Sequence, residues 1–459
     1  MTTLLFWILV LIVAVPLGKV LWRPEKIYEY PQLIAATFVI FILPQALSLV
    51  RFPGAAPDEA VRRVLGMACL CMLASIIGYA WPGDFQKSCR TPLNLDLRKL
   101  FHIGLLFVAC GIGFSYALGA TEPETTEFGG WTGRATIFGF FQQLSYPGFA
   151  ICLLVCLRKP GALSIASVLI GAIVPVQSML FGRREPAAAF ALIIGLSLYF
   201  YFRIKPARSV VLSGMIVGMM AIPATATYRQ FHLEKDWQNI GQINLLENFR
   251  QYLNEESVLE LRNAAMLIEA TRQSSAYEWG AGYWNHLVFR YVPAQILGPE
   301  FKENLKLKTP VELVERELGV LGYSNPVGST VTGLGDSFQQ FGYCGCLFFA
   351  ALGVFFQRLW RSAVPETAIL PRLLYILVCP SAMRAVTHWT LDFVPGFLYS
   401  AVFLGAAAWY AHRPATRRAL RHGPDHRPLL IARLPAQHLG HNKDQHGSAQ
   451  ASTQQQVQQ

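Results

Sequence analysis

Charge is scarce in this chain. Asp, Glu, Lys and Arg make up only 15% of its 459 residues, against 53% hydrophobic ones, and the mean hydropathy is +0.35. A soluble domain of this length with so little charge would aggregate, so the soluble globular class is excluded. Several motifs with a known mechanism are also missing. There is no glycine-rich Walker loop, no His-Glu-x-x-His, no Gly-x-Ser-x-Gly elbow and no Asp-x-Asp. These absences count against ATP hydrolysis, zinc proteolysis and nucleotide-sugar transfer through a metal clamp. The nine cysteines are odd in number, and Cys69, Cys71, Cys110, Cys152, Cys156, Cys344, Cys346 and Cys379 sit in apolar segments. They read as small packing residues, with neither a disulfide framework nor a zinc site implied. No basic residue precedes the first apolar run, and Lys19, Arg23 and Lys26 follow it instead. It therefore reads as a retained helix with its N-terminus outside, not as a secretory signal.

What the chain does have is a succession of apolar runs. A bilayer core about 30 Å thick takes roughly 20 apolar residues as helix. Eleven segments meet this length, near 3–22, 30–50, 63–82, 99–120, 135–157, 162–181, 186–203, 209–227, 337–357, 367–386 and 393–411. The expected fold class is an all-α polytopic membrane protein. Arg158 and Lys159, Arg203, Lys205 and Arg208, Arg358 and Arg361, and the basic tail alternate onto one side, which the positive-inside rule makes cytoplasmic. Glu122, Glu124, Glu127 and the long polar stretch fall on the other. The net charge of +11 follows from these turns and from Arg413, Arg417, Arg418, Arg421, Arg427 and Arg433. Orientation alone explains it, so nucleic acid is not an expected partner.

The expected organisation is an N-terminal bundle over 1–227, a large outer-face loop over 228–335, three further spans over 336–411 and a disordered cytoplasmic tail over 412–459. The tail holds six of the ten histidines without regular spacing, which does not suggest a metal site. Eight spans precede the loop and three follow it, with no visible inverted repeat, which weighs against a transporter of paired repeats. In the loop, 13 acidic residues outnumber 10 basic ones. Ser257-x-x-Glu260 makes a capping box, and Val258, Leu261, Ala265 and Ile268 follow at helical spacing. One amphipathic helix over 256–272 is expected, lying along the membrane surface or under the rest of the loop. The aromatic run from Ala276 to Pro293 suits either interface anchoring or stacking on sugars.

Four groups could carry chemistry. Arg183 and Arg184 share a turn of a few residues between two apolar segments. An arginine near the bilayer centre would cost ~2.5–3.5 kcal/mol, so the pair must reach water, pair with acids or serve a site. Guanidinium forks match phosphate oxygens, which suits a lipid pyrophosphate; snorkelling into headgroups is the plain alternative. Arg290 and Lys302 flank a turn broken by Pro293 and Gly298-Pro299, and are either ligand contacts or simply solvated. Arg384, His388 and Asp392 recur at i, i+4 and i+8, which on one helix face would bring together an anion contact, a base and an acid. The alternative is a structural ion cluster. The exit Gly328-Ser-Thr330-Val-Thr332-Gly-Leu-Gly-Asp336 lets a ligand approach backbone amides. Asp336 there is either a helix N-cap or a carboxylate base for a sugar hydroxyl.

The sequence resembles the bacterial oligosaccharide repeat-unit polymerases, the Wzy-type family of O-antigen and exopolysaccharide biosynthesis. Carrying the resemblance are Gly182-Arg-Arg184, the large late loop, Arg290-Tyr-Val-Pro with Lys302, and Gly328-Ser-Thr-x-Thr-Gly-Leu-Gly-Asp-Ser-Phe-x-x-Phe-Gly-x-x-Gly345 running into a span. It covers most of the chain from the fifth span onward. Where relatives often carry Tyr in the Asp-Ser-x-x-x-Phe-Gly run, this chain has Phe338.

The resemblance implies a membrane glycosyltransferase (GT-C-like) architecture with its site in an outer-face cavity under the loop. The location it implies is the bacterial inner membrane. The reaction it implies transfers a growing glycan from undecaprenyl pyrophosphate to a hydroxyl of an incoming lipid-linked repeat unit, without metal or other cofactor and with inversion. On this basis Arg183, Arg184 and Arg384 are expected at the pyrophosphate and His388 or Asp336 at the acceptor, with Arg290, Lys302, Thr330 and Thr332 as further substrate contacts. Membrane lipids, a chain-length regulator and a flippase are the other expected partners. An O-antigen ligase using the same donor, or a lipid-linked oligosaccharide flippase, are the rival readings.

Overall fold

The computed structural model describes residues 1–81, 94–122, 124–125, 131–234, 241, 243–254, 259–292, 294–326 and 329–412. Glu127, Ser257, Val258, Gly328, Pro293 and the tail from 413 onward lie outside the described residues, so the expected capping box and tail do too.

Among the described residues, eleven helices are long and apolar enough to cross a membrane: Thr2–Trp22, Tyr30–Arg51, Asp58–Ala80, Leu97–Gly119, Gly133–Arg158, Ala162–Leu180, Arg184–Phe202, Arg208–Thr225, Thr332–Ala363, Ile369–Thr387 and Thr390–Ala411. The protein is a multi-pass, almost wholly helical membrane protein; a two-residue ladder pairs Glu124–Thr125 with Trp131–Thr132. Helices suit this setting because each satisfies its own backbone bonds where no water can.

Several spans are interrupted. The second passes through a π-turn at Phe38–Ile42, where Leu43 N–H reaches back to the Phe38 carbonyl just before Pro44, whose missing N–H would break an α-helix. The ninth begins at Thr332, five residues before its expected start at 337, and is itself broken. Thr332–Phe341 ends at Gly342, with φ of +59°, a short 3-10 turn covers Gly342–Gly345, and Cys346–Ala363 completes the crossing.

Close packing of the third and ninth spans depends on two glycines. A Cβ on Gly78 would lie 2.1 Å from the Ala350 carbonyl oxygen, and one on Gly353 would lie 2.6 Å from the Ser75 carbonyl oxygen. Lipid tails are as apolar as leucine, so such backbone approach, and not hydrophobic burial, holds neighbouring spans together. At one end of the bundle, buried Arg372 donates to the carbonyls of Ala363 (2.8 Å), Val364 (3.0 Å) and Phe200 (3.2 Å). Arg203 also reaches the Val364 carbonyl at 3.2 Å, and Arg158 the Glu366 carbonyl at 3.3 Å. Arg372 and Arg203 therefore meet carbonyls at helix C-termini, where the dipole favours positive charge, and Arg158 meets the turn that follows.

The polar stretch folds into the opposite end. It contains helices Leu245–Asn254, Glu260–Ser274, Ala281–Tyr291, Ala294–Leu297, Pro299–Asn304 and Val311–Val320, where one was expected. The helix expected over 256–272 is seen as Glu260–Ser274, packed against the second and third spans and the helix Val311–Val320. Glu260–Ser274 is buried continuously from Leu261 to Thr271, because its polar side chains find partners on other elements. Gln45 of the second span accepts the Leu261 N–H at 2.8 Å, Arg262 donates to the Phe52 and Pro53 carbonyls, and Glu269 pairs with Arg63. Asn263 donates at 2.8 Å to both Ser329 Oγ and the Thr330 carbonyl, fixing the exit from the polar stretch.

Gly353→Leu is expected to lower the thermal unfolding midpoint in detergent, by an overpacking cost of about 1–3 kcal/mol. Gly113→Leu, where a side chain would meet nothing within 4 Å, is expected to leave it in place. Equal midpoints would show that the close approach does not hold the bundle.

Candidate functional site

The exit helix Thr332–Phe341 sets the site. A Cβ on Gly333 would fall 1.8 Å from the Ala385 carbonyl oxygen of the tenth span, so the two backbones touch there. This approach brings Asp336, four residues into the helix, against the turn between the last two spans. Asp336 is 3% exposed. It is not the expected N-cap, since the helix starts at Thr332 and Asp336 caps none of its amides. Its Oδ2 instead accepts the backbone N–H of Thr390 at 2.8 Å and the Thr390 hydroxyl. With its proton committed to Asp336, the Thr390 hydroxyl accepts from Tyr283 Oη of the helix Ala281–Tyr291. A buried carboxyl without such donors would be costly.

Around this chain lies a cavity of about 270 Å³, walled by Glu278, Tyr283, His286, Glu315, Asp336 and Trp389 among others. Glu278 is itself held: its two oxygens accept amide hydrogens from Gln339 (2.8 Å) and Gln340 (2.5 Å). Burial nonetheless pushes its carboxyl above the ordinary value, with the Gln340 bond opposing. Burial, with the neighbouring Asp336 carboxyl, keeps the Tyr283 phenol protonated far above its usual range. A larger concavity of about 410 Å³ at Val15, Lys19, Trp22, Arg23 and Lys26 draws its walls from one helix end and the turn after it. No groups from separate elements converge there, so the cavity at Asp336 is the better candidate.

One wall of the cavity runs into a chain of charges. His286 Nε2 lies 3.7 Å from Asp392 Oδ1, and the same oxygen lies 3.7 Å from Arg384 Nη2. Arg384 Nη1 reaches Glu185 at 2.5 Å. Arg384, His388 and Asp392 were expected on one helix face, and here the structure differs. The tenth helix stops at Thr387, His388 takes φ −126° and ψ −109°, and a 3-10 turn covers Thr390–Asp392. Arg384 and Asp392 still meet, because the chain reverses between two antiparallel spans and not because of helical periodicity.

His388 Nδ1 is 2.8 Å from Thr387 Oγ1, whose own hydroxyl donates to the Met383 carbonyl at 3.3 Å. In the tautomer whose Nδ1–H donates to Thr387 Oγ1, that hydroxyl keeps its bond to the Met383 carbonyl and Nε2 carries the free lone pair of the neutral ring. Burial lowers the His388 value; Glu185 pulls it up and Arg384 pushes it down. Burial likewise lowers the His286 value, with Asp392 opposing and Arg290 and Arg384 assisting. Burial thus favours the neutral form of both imidazoles.

Arg183 and Arg184 are exposed at the start of the seventh span, and Arg184 lies 3.5 Å from Glu260. Arg229, not singled out from the sequence, joins them: it donates to the Gly182 carbonyl at 3.0 Å. Burial lowers its value, and the charges of Arg184 and Arg183 lower it further. Three guanidinium groups therefore share one turn. Arg290 is exposed, one helical turn from His286. Lys302 is engaged locally, donating at 2.8 Å to the Phe289 carbonyl and lying over the Phe289 ring. Thr330 donates to the Thr387 carbonyl at 3.1 Å and so positions the residue before His388. Thr332 has φ of +54°, and its buried hydroxyl is outside the cavity wall.

The residues the sequence reading passed over are His286, Glu278, Tyr283 and Arg229. His286 and Arg290 are four apart on one helix, a spacing visible in the aromatic run; the partners of Glu278, in Gln339 and Gln340, lie some sixty residues away and left no local signal. No protein-family model, curated protein or solved structure matches this chain.

Thr390→Val removes the hydroxyl that Asp336 and Tyr283 share, and is expected to lower the thermal midpoint in detergent by the equivalent of about 1–3 kcal/mol. Thr390→Ser is expected to restore it. A Thr390→Val protein as stable as the parent would show that the carboxyl does not need this donor.

Proposed function

We propose that this protein is an inverting, metal-independent membrane glycosyltransferase. It joins undecaprenyl-pyrophosphate-linked oligosaccharide repeat units into O-antigen or exopolysaccharide at the outer face of the bacterial inner membrane. The observation that carries this reading is the adjacency of two unlike environments at one end of the bundle. Arg384 is joined through Asp392 to His286 of a cavity lined by carboxyl, phenol and imidazole groups, and Arg290 lies one helical turn from His286. Glu185, which pairs with Arg384, follows directly on Arg183 and Arg184, with Arg229 at the same turn.

In this reading the arginines hold the donor pyrophosphate. Their charge stabilises the leaving group as the bond between the anomeric carbon and the phosphate oxygen breaks and the electron pair departs with the phosphate. A hydroxyl of the acceptor sugar attacks the same carbon from the opposite face, forming the new glycosidic bond. Its proton passes to a base, and His388 Nε2, next to Trp389 of the cavity wall, is the strongest candidate, since its Nδ1 meets Thr387 Oγ1 and burial favours the neutral ring. Asp336 orients the acceptor, and Glu185 and Asp392 hold Arg384 between them. The polar stretch is a lid and acceptor platform over a floor formed by the spans. A GT-C-like fold and an outward-facing site accord with the cations at the other end, Arg158, Arg203 and Arg372, which the positive-inside rule makes cytoplasmic. Membrane lipids surround the bundle, and a flippase and a chain-length regulator would act before and beside it.

In cells lacking the native gene, His388→Ala and Arg384→Ala are each expected to cut long glycan chains by about 10²-fold or more while single repeats persist and protein abundance stays normal. Unchanged chain lengths would remove these roles. Intact lipid-linked polymer that never reaches a final acceptor would point to a ligase, and complete loss of outer-face glycan to a flippase.

A further inference from the structure

The proposed reaction requires an acceptor sugar but does not say which kind. The cavity's wall is chemically one-sided. Glu278, Glu315 and Asp336 contribute three carboxyl groups, and among the described residues lining it there is no lysine or arginine. Its one histidine, His286, is disfavoured as a cation by partial burial, against the pull of Asp392. The cations are elsewhere: Arg384 is drawn to Glu185 and Asp392, and Arg184 to Glu260.

The carboxyl groups are also set to accept hydrogen bonds. Both Thr390 bonds fall on Asp336 Oδ2, so Oδ1 keeps its acceptor capacity. Glu315 is exposed at the rim, on the helix Val311–Val320. The Trp389 ring supplies an apolar face. Such a wall accepts hydrogen bonds from hydroxyl or amino groups and offers no cation to an acid.

We propose that this cavity is a saccharide subsite that admits a neutral or amino-bearing pyranose and excludes uronic acids and other carboxylated sugars. In the reaction above, which this inference rests on, the occupant is the acceptor's terminal sugar. Like charges set face to face disfavour the wrong partner, and Glu315, exposed at the rim, is the carboxylate an entering acid meets, so the wall acts as a filter as well as a cradle. The lipid pyrophosphate is kept out of the cavity by the same carboxyl groups and is left to the arginines beside it.

The test needs no turnover. The full-length protein in lipid nanodiscs is titrated, with saturation-transfer NMR as the readout, against methyl glycosides of glucose, galactose and mannose, their 2-amino forms and the matching uronates. At least one neutral or amino sugar is expected to bind, and its uronate partner about tenfold or more weakly. Glu315→Lys, at the exposed rim and so harmless to folding, is expected to bring the uronate to within a few-fold of the neutral sugar. Asp336→Asn is expected to weaken the neutral sugar. If no saccharide binds, if uronates bind as well as neutral sugars, or if Glu315→Lys leaves the ratio unchanged, the inference is overturned. A selective cavity in a protein that lengthens no glycan would keep the subsite and remove the polymerase. Elongation at equal rates on uronate-ended and neutral acceptors would keep the polymerase and remove the filter.

Discussion

A carboxyl group buried at the end of a helical bundle must find donors, and Asp336 finds both of its own in one residue, Thr390. That pairing ties the exit of the long polar stretch to the turn between the last two spans. Most of the site geometry follows from it. It lets Gly333 press on the tenth span, presents the Thr390 hydroxyl to Tyr283, and holds the 388–392 turn where Asp392 can meet both His286 and Arg384. Interiors are close-packed, so a change at Thr390 would be felt along the whole chain of contacts.

The site divides charge by sign. Guanidinium groups cluster at the turn after the sixth span and at Arg384, with carboxylates spaced between them, while the cavity wall carries three carboxyl groups and, among the described residues, no lysine or arginine. In the proposed reaction, such neighbouring environments would hold the anionic leaving group and the hydroxylic nucleophile side by side. Glu185 and Asp392 hold Arg384 between them, and Asp392 also meets His286, so one network of charges joins the two halves.

Much of the fold was legible in the sequence. Each of the eleven apolar runs became a span, because backbone satisfaction in a bilayer leaves few alternatives. The breaks were less visible: the ninth span's early start rests on small residues, Gly333 and Gly335, whose role is tertiary approach and not hydropathy. In the polar stretch, the helix expected over 256–272 was recognised by its apolar positions alone, yet Arg262, Asn263 and Glu269 are buried as well, each against a partner on another element. At the site, Arg384 and Asp392 were brought together for a reason other than the one their spacing suggested. His286 and Arg229 were passed over, because a lone histidine among aromatics and a single arginine at a helix end gain meaning only from what the fold places beside them.

The central claim is that cations at this end of the bundle release a lipid pyrophosphate as the adjoining cavity presents a sugar hydroxyl. Purified protein in proteoliposomes, supplied with a single lipid-linked repeat unit and no nucleotide sugar, tests it most directly. The account predicts glycans of two or more repeats, with one undecaprenyl pyrophosphate released for each new bond. Repeat units that remain single, with no lipid pyrophosphate released by protein shown to be folded, would contradict it.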